Sequence, residues 1–470
     1  MRTYFYATRG LPIALLMAAS VVRAATPAQQ AIEDYVSEGL RSNLSLQQQR
    51  LELERSEAAL DGARARFFPE VALQAGYTRA AGGRQIDLPL GTLVNPIYAT
   101  LNQLLAAQGR PAEFGQIPNN SIAFLQPRSQ DTRLTLRQPL FAPALPAALR
   151  AQRSLHASQE FARVALARRL RRDITVAWLD TQRAQKAADI YESSVALLQE
   201  NLRVNESLLR NGKITQDQVL RARAELLATQ QQQGDAGNLR SQSISYLNFL
   251  LNRPLQTPVA NVDIGDDLQL ATQDLATLRS AALAARPELG QASKGIDAAR
   301  AQRQLARSAW LPTLSLGIDA GIQGEDYQFG SGRNFNTVSL LLNWKLFDGG
   351  SRSAQVHDAR VVERQARLRN DELSQQIQLE VQQSLDRLNT SVAAVTTAAA
   401  RAEAARAGFR IASRKRDEGV INQVEFMDSR NTLTGADLNL NLSRFELLAR
   451  QAELDYATAA GALPLDNATP

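Results

Sequence analysis

Few side chains in this sequence are of the types that do chemistry. It has no cysteine and two histidines, His156 and His357, and each follows a strand-like segment. The two imidazoles could bind a metal together, but single surface histidines are the more common case. No HExxH, phosphate-binding loop, GxGxxG or GxSxG motif lies where its mechanism would need it. The sequence therefore predicts that the protein is not an enzyme and has no catalytic residue, cofactor or metal site.

Two acidic residues, Glu425 and Asp428, are spaced so that they could act together. A separation of three residues puts both carboxylates on one face of a helix. They could concentrate negative charge at a functional position. They could equally be solvated acids near a helix N-terminus, where the helix dipole favours negative charge.

The composition is typical of long helices. The chain has 470 residues, and Ala, Leu, Gln, Arg and Glu dominate the segments between helix-breaking residues. Its net charge is +6, and its arginines alternate with Asp and Glu, which is typical of solvated helix faces. We find no clustered basic face with a nucleic-acid-binding fold, so we expect no nucleic-acid partner.

The first 24 residues have the pattern of a secretory signal peptide. Arg2 and Arg9 precede an apolar run at 11–22, and Val22-Arg23-Ala24 fits a small-x-small cleavage site. The apolar run is too short to span a bilayer, so an N-terminal membrane anchor is the less favoured interpretation. An exported chain without cysteine has no disulfides, and we expect helix packing or oligomerisation to stabilise it.

The chain contains two similar halves. Each half predicts a helix, a strand, a loop, a second strand, a long helix, a sharp tip and a returning helix. The matching segments are 65–73 with 308–316, 139–143 with 345–349, 209–214 with 417–421, and 252–255 with 462–465. A period this long indicates a duplicated module and not a solenoid repeat.

Four segments alternate between apolar and polar residues, as β-strands do. They are residues 71–78, 133–137, 313–322 and 337–346. The longer runs have about ten residues, the length of a tilted transmembrane strand. Aromatic residues gather at one end of the strands, as at a membrane interface: Phe67, Phe68, Phe141, Trp310, Trp344 and Phe347.

A soluble β-domain with one solvated face is the alternative for these strands. Four strands cannot close a barrel in lipid, because an open edge leaves backbone groups without hydrogen bonds there. Single-chain outer-membrane barrels have about eight strands or more. A membrane location would therefore require several chains to share one barrel.

Two long helices are predicted, at about 146–211 and 351–418. Roughly 65 residues at about 1.5 Å each give a helix of about 100 Å. A coiled-coil seam follows alternating spacings of four and three at Val381, Leu385, Leu388, Val392, Val395, Ala399 and Ala402. Gly212 and Gly419 end the two helices, and shorter helices return to about 251 and 460. Each half thus ends in a helical hairpin.

These segments, taken together and in this order, resemble the TolC family of outer-membrane channel proteins. The resemblance covers about 30–465. It rests on Trp344-Lys345-Leu346-Phe347-Asp348-Gly349-Gly350 at a strand-to-helix junction, on the aromatic-x-Pro starts at 67–69 and 310–312, and on the tips at 212–222 and 419–433. Members of this family are the outer components of tripartite efflux and type I secretion systems.

The resemblance implies a mainly α fold with a transmembrane β part. It implies a homotrimer whose twelve-stranded β-barrel lies in the lipid of the cell outer membrane and whose long α-helical barrel lies in the periplasm. Such a trimer is a passive duct that receives its cargo from an inner-membrane transporter through a periplasmic adaptor. The cargo, whether drug, metal or protein, is not readable from the sequence.

The resemblance and the residue patterns together give the expected boundaries. They are a signal peptide (1–24), a periplasmic helix (25–66), two barrel strands (67–141) with a long outer loop (80–130), the first hairpin (142–254), an equatorial linker (255–274), a second periplasmic helix (275–309), two further strands (310–347), the second hairpin (348–461) and a tail (462–470). The outer loop contains apolar stretches and could fold over the barrel mouth.

The resemblance also assigns candidate site residues. Glu425 and Asp428 stand where related channels carry acids that form rings at the periplasmic constriction. The hairpin tips are the expected adaptor-docking surface, with residues Gly212, Lys213, Ile214, Thr215, Gly419, Val420, Ile421 and Asn422. Two features depart from the family pattern. Gln218 stands where an Asp is usual, and Arg416 and Ile421 replace a Tyr and an Arg that help to close the tip.

A periplasmic adaptor protein is the alternative function, since adaptors also contain a long helical hairpin. An adaptor would have one hairpin between two lipoyl-like halves, whereas this chain predicts two hairpins and four membrane-length strands. An enzyme with a coiled-coil part is a third possibility, but no nucleophile, metal cluster or cofactor loop supports it.

Overall fold

The computed structural model describes residues 27–265 and 274–463. The predicted signal peptide, the centre of the linker (266–273) and the tail from 464 lie outside these described residues. The chain forms two compact units. One comprises Met1–Arg50, Ala162–Pro287 and Leu373–Pro470, and the other comprises Leu51–Phe161 and Glu288–Glu372.

The helices and strands follow one another in the same order in both halves, except that the first half has two additional short strands and a helix between its long strands. The first half contains α1 (Pro27–Ser42), α2 (Leu44–Ala65), β1 (Glu70–Arg79), β2 (Gln85–Leu88), α3 (Leu90–Ala107), β3 (Asn120–Ala123), β4 (Arg128–Phe141), α4 (Ala144–Arg210) and α5 (Gln216–Leu250). The second half contains α6 (Leu275–Ala285), α7 (Pro287–Ser308), β5 (Thr313–Gly324), β6 (Asn334–Asn343), α8 (Ser351–Asp417) and α9 (Gln423–Ala457).

Three pairs of corresponding helices in the two halves have equal lengths. Both α2 and α7 have 22 residues, α4 and α8 have 67, and α5 and α9 have 35. This equality confirms the predicted duplication and the mainly α fold class with a smaller β part. None of the helices in the described ranges combines the length and the hydrophobicity that crossing a membrane would require.

The four long strands form one antiparallel sheet in the order β1-β4-β5-β6, which makes β1 and β6 its edge strands. One row of directly paired residues consists of Val71, Leu136, Ile318 and Val338. The adjacent row, which points to the opposite face, consists of Ala72, Thr135, Asp319 and Thr337. The sheet therefore has one apolar and one largely polar face, as the alternating pattern predicts.

A glycine makes room for an ion pair on the polar face. Arg137 Nη2 lies 3.4 Å from Asp319 Oδ1. A Cβ atom on Gly317, which pairs with Arg137 in the register, would collide with the guanidinium Nη1. The absence of a side chain at Gly317 thus leaves space for the Arg137 side chain to reach the Asp319 carboxylate.

The junction between β6 and α8 differs from the predicted strand at 337–346. The strand ends at Asn343, because the next residues turn toward Arg352 at the start of α8. The Arg352 guanidinium donates to Asp348 Oδ2 at 2.7 Å and to the carbonyl of Leu346 at 3.2 Å, and it stacks on Trp310 at 4.4 Å. Gly349 has a φ of +63°. The Lys-Leu-Phe-Asp-Gly-Gly motif is therefore a compact turn that Arg352 closes.

The outer loop at 80–130 contains secondary structure that the sequence patterns did not predict. Strands β2 and β3 pair as a small two-stranded sheet, with Ile86 opposite Ile122, and α3 lies between them along the chain. The apolar stretch of this loop, at 88–105, is mostly this helix.

The main core of the first unit contains α1, α4 and the end of α5. Val36, Ile174, Trp178 and Leu251 are fully or almost fully buried in it. Gly39 of α1 lies directly against Ile174, where a Cβ atom would collide with the Ile174 side chain. Close packing at this glycine brings α1 against α4.

Each predicted periplasmic helix is broken into two. At 25–66 the break is Asn43, whose Oδ1 accepts from the backbone N–H of Leu46 at 3.2 Å and whose Nδ2 donates to the Leu250 carbonyl at 2.8 Å. At 275–309 the break is Arg286, because the following Pro287 disfavours a helical conformation for the residue before it. Arg286 has φ −68° and ψ 117°.

The coiled-coil seam of α8 lies in a different register from the predicted one. Val381, Leu388 and Ala402 are buried as predicted. Between and beyond them, the chain buries Ser384, Ser391, Ala398 and Ala405. The first three of these lie one residue before the predicted seam residues Leu385, Val392 and Ala399. The reason is the packing partner within the chain, since Ala398 and Ala402 pack against Ala436 and Leu440 of α9.

Candidate functional site

The first hairpin tip is a helix stop built on Gly212. Its φ is +67°, in the left-handed region that favours glycine. The Gly212 N–H donates to the Leu209 carbonyl at 2.9 Å, and the Lys213 N–H donates to the Leu208 carbonyl at 2.9 Å. This pair of bonds is a Schellman motif, which satisfies carbonyls at the end of α4.

The second tip has the same geometry at Gly419, with a φ of +71°. The Val420 N–H donates to the Lys415 carbonyl at 2.8 Å. Asn422 then caps α9, and its Oδ1 accepts from the backbone N–H of Glu425 at 2.9 Å. At the first tip Thr215 occupies the same position with an extended backbone, and its hydroxyl bonds to the Asp217 carboxylate. The two tips are therefore alike in backbone and differ in capping chemistry.

Six of the eight predicted tip residues are exposed. Ile214 and Ile421, which occupy equivalent positions, are the two that are partly buried. Val420 is 66% exposed, and Val424 just inside α9 is 55% exposed. The tips thus present backbone groups and a small apolar surface to any partner that reaches them.

Both predicted constriction acids lie on α9 with their side chains exposed. Glu425 is in the first turn, where its backbone N–H is capped and its carboxylate is next to the positive end of the helix dipole. Asp428 follows one turn later. The two carboxylates therefore share the helix end without being buried.

One of the two residues between them, Phe426, anchors this turn. It is 1% exposed, its ring lies 5.6 Å from that of Phe409 of α8, and the guanidinium carbon of Arg416 lies 4.0 Å from its centroid. A stacked arginine of this kind gains cation–π stabilisation. Arg416, noted in the sequence as a departure from the family pattern, thus joins α8 to α9 within the second hairpin.

A buried polar cluster next to the tips was not found from the sequence. Asn201 of α4 is 4% exposed, and its Oδ1 accepts from Asn205 Nδ2 at 2.9 Å and from Gln423 Nε2 at 2.9 Å. Gln423 is the first residue of α9, so this cluster joins the two hairpins. Its one signal in the sequence is that Asn205 is the polar member of an apolar series with coiled-coil spacing in α4, formed by Val195, Leu198, Leu202 and Leu209.

A second link between the hairpins is an ion pair formed by a buried arginine. Arg430 of α9 is 3% exposed, and its Nη1 lies 3.5 Å from Glu225 Oε1 of α5. Burial lowers the pKa of the Arg430 guanidinium, and the Glu225 carboxylate opposes that shift. Arg430 Nη2 is buried and has no hydrogen-bond partner among the described residues. In the sequence Arg430 resembles any other arginine of a solvated helix face.

The two histidines lie on the two long helices, His156 on α4 and His357 on α8. His156 Nδ1 is 2.9 Å from the Ser56 hydroxyl, and His357 is exposed on α8. Within residues 27–265 and 274–463, no group of three or more His, Asp or Glu side chains could hold a metal ion.

Comparison with solved structures shows the same fold. CusC matches with a TM-score of 0.75 at 18% identity, over 92% of each chain. The CmeC outer membrane channel of Campylobacter jejuni matches with a TM-score of 0.74 at 16% identity, over 93% of this chain and 87% of that one.

Comparison of sequences finds curated relatives that match over a little more than half of this chain. The proteases secretion protein PrtF of Dickeya chrysanthemi is 25% identical over 255 residues, which cover 52% of this chain and 54% of that protein. The chain spans about half the length of the curated relatives that it matches. The family model described as "Outer membrane efflux protein" matches residues 35–253 and 278–460, nearly all of both halves. The chain therefore belongs to the outer membrane efflux protein family.

Proposed function

We propose that this chain is the outer-membrane subunit of a tripartite efflux or type I secretion system. It forms a homotrimeric, passive duct with no enzymatic activity, whose β-barrel lies in the outer membrane and whose helices lie in the periplasm. An inner-membrane transporter passes cargo to it through a periplasmic adaptor.

The observation that carries this proposal is the uncovered apolar face of the four-stranded sheet. Val71, Leu73, Val338 and Leu340 are 58–72% exposed in the described chain. Burying one large aliphatic side chain stabilises a protein by about 1.5–3 kcal/mol. A soluble β-domain would bury such a face in its own core, whereas a membrane barrel presents it to lipid. The face argues against the soluble alternative.

The edges of the sheet support a barrel shared between chains. Among the described residues, strands β1 and β6 are each paired on one side only. In lipid such edges must be paired, and three chains joined β1 to β6 would close a twelve-stranded barrel. The polar face, with Arg137 and Asp319, would then line an aqueous lumen.

The hairpin tips are the proposed adaptor-docking surface. Residues 212–215 and 419–422 combine exposed backbone with the apolar side chain of Val420. Glu425 and Asp428, exposed one turn apart beside the second tip, would bring six carboxylates together in a trimer as the periplasmic constriction. Two protein-secretion relatives, PrtF and AprF of Pseudomonas aeruginosa, favour the secretion branch of the proposal.

Fractionation and mass measurement test the assembly. The protein should be recovered with outer membranes, run as a heat-resistant trimer on a gel and have the mass of a trimer in detergent. A stable monomer that keeps its full strand content would overturn the proposal. Recovery in the soluble periplasm would favour the adaptor alternative instead.

Substitution at the tips tests the docking surface. Gly212→Val and Gly419→Val, made together, should abolish export and leave the trimer intact, because valine is strained at a positive φ. Gly435→Val, on an exposed helical position of α9 where a Cβ meets nothing within 4 Å, is the matched control. Undiminished export in the double variant would show that the partner docks elsewhere.

A further inference from the structure

The helix α3 carries an apolar stripe that nothing in the described chain covers. Leu90, Leu93, Ile97, Leu101 and Leu104 are 36–65% exposed. At about 100° per residue these five positions fall within about 80° of the helix circumference. The stripe therefore runs along one side of the whole helix.

The opposite side of α3 is held by its own chain. Asn95 Nδ2 donates to the Ile117 carbonyl at 2.9 Å, and the Ile117 N–H donates back to Asn95 Oδ1 at 2.8 Å. Asn102 does the same for Phe114, donating at 2.7 Å and accepting at 3.1 Å. These paired amide bonds attach the returning segment to the back of the helix and fix which side faces outward.

The charge of this region disfavours a lipid surface as the occupant. Helices that lie on membranes have a polar face rich in Lys and Arg, whereas α3 contains no charged residue. The nearest charges on the returning segment, Arg110 and Glu113, form an ion pair at 2.9 Å. A protein surface of the same apolar character fits the stripe better.

The position of α3 along the chain puts it beside the interface between chains. It lies in the connection 80–127, which leaves the end of edge strand β1, whereas the connection 325–333 between β5 and β6 is short. In a trimer with β1 of each chain beside β6 of the next, three copies of α3 would surround one end of the barrel. The threefold axis would bring identical stripes toward one another.

We propose that the α3 stripe is a self-association surface, through which three copies of this chain form an apolar cap over the end of the barrel where β1 ends. The proposal rests on the trimer proposed above. It also assigns the long connection of the first half a task that the short connection of the second half cannot perform.

Cysteine cross-linking tests the cap, since the chain has no native cysteine. Ile97→Cys, treated in intact outer membranes with a mild oxidant or a short bis-maleimide, should yield covalent dimers. Ala99→Cys, exposed on the opposite side of the same helix, should not. Gel and mass measurements on the same samples report the trimer separately. If the Ile97→Cys variant forms an intact trimer but no cross-links, the cap is overturned and the trimer is not. If the gel and mass measurements show no trimer, the proposed function is overturned.

Conductance in a planar bilayer supplies a second readout. Leu93→Gln with Ile97→Gln should weaken the cap and raise the open probability several-fold, whereas Ala99→Gln should leave it unchanged. Equal conductance in the parent channel and both variants would overturn the cap. A thiol-reactive dye attached to the Ile97→Cys variant gives a third readout. If brominated lipid quenches this dye and trimer dissociation leaves it unaffected, lipid covers the stripe, which also overturns the cap.

Discussion

Replacing the tip glycine Gly419 with alanine should loosen the tip by a predictable amount. An L-residue in the left-handed conformation costs about 1–2 kcal/mol relative to glycine. Gly419 has a φ of +71°, and a Cβ atom there would meet nothing within 4 Å. No collision adds to the backbone strain, so the whole effect should be about 1–2 kcal/mol, which raises the population of the opened tip about 5- to 30-fold.

Limited proteolysis measures that population directly. The last turn of α8 contains Arg414, Lys415 and Arg416, and trypsin can cut there only when the turn opens. When opening is fast relative to cleavage, the initial rate follows the open population. The Gly419→Ala trimer should therefore be cut about 5- to 30-fold faster at this turn.

Gly435→Ala is the matched control for this measurement. Gly435 lies inside α9 with equally open space around it, and alanine in a helix interior is favoured by about 0.5–1 kcal/mol over glycine. Its cleavage rate at the second tip should not rise. Equal rates for the two variants would refute the assignment of the tip to a left-handed glycine stop.

Three further predictions concern the charged groups. Glu225→Gln should lower the free energy of unfolding by about 1–2 kcal/mol, because it leaves the buried Arg430 charge without its partner. Arg430→Met should be close to neutral, because the Glu225 carboxylate that it leaves is 32% exposed and can be solvated. Thermal unfolding in detergent that shows Arg430→Met to be the more destabilising of the two would contradict this argument. In planar bilayers, Glu425→Gln with Asp428→Asn should remove both the cation selectivity of the channel and its inhibition by multivalent cations. In the parent channel both properties should weaken with added salt, as the Debye length falls to about 10 Å at 0.1 M. Unchanged selectivity in the double variant would place the constriction elsewhere. Arg352→Lys should destabilise the fold by about 2 kcal/mol, the size of one hydrogen bond to a charged group, since lysine cannot reproduce the planar fork. An unaltered melting temperature on gels would count against the role of that turn.

Most of the fold is predictable from local patterns in the sequence. The spacing of apolar residues, the glycines at 212 and 419 and the repeated segments are all readable without knowing any neighbour. They led to the duplicated module with its equal helix lengths. Pro287 is an equally local signal, and it marks the break between α6 and α7.

The register of the α8 seam could not be read in the same way. Val381 and Leu388 fit two seams, one that continues through Leu385 and one that continues through Ser384. Hydrophobicity favours Leu385, but the chain buries Ser384 to 6% exposure. The choice depends on which helix lies alongside, and periodicity contains no information on that.

The buried polar groups near the tips were hidden for a related reason. Asn201 and Arg430 are buried because α9 of the second hairpin lies against α4 and α5 of the first. Before those neighbours are known, a polar residue on a long helix is best assigned to a solvated face. Sequence could place Glu425 and Asp428 on one exposed helix face but could not identify the contacts behind them.

The order β1-β4-β5-β6 has a genetic consequence. In a closed trimer each chain takes part in two interfaces, one through β1 and one through β6. A chain with one defective edge strand therefore prevents closure of any trimer that contains it. If intact and defective chains were made in equal amounts and mixed at random, roughly one trimer in eight would contain three intact chains. Mutations at either edge strand should therefore be dominant over the intact gene.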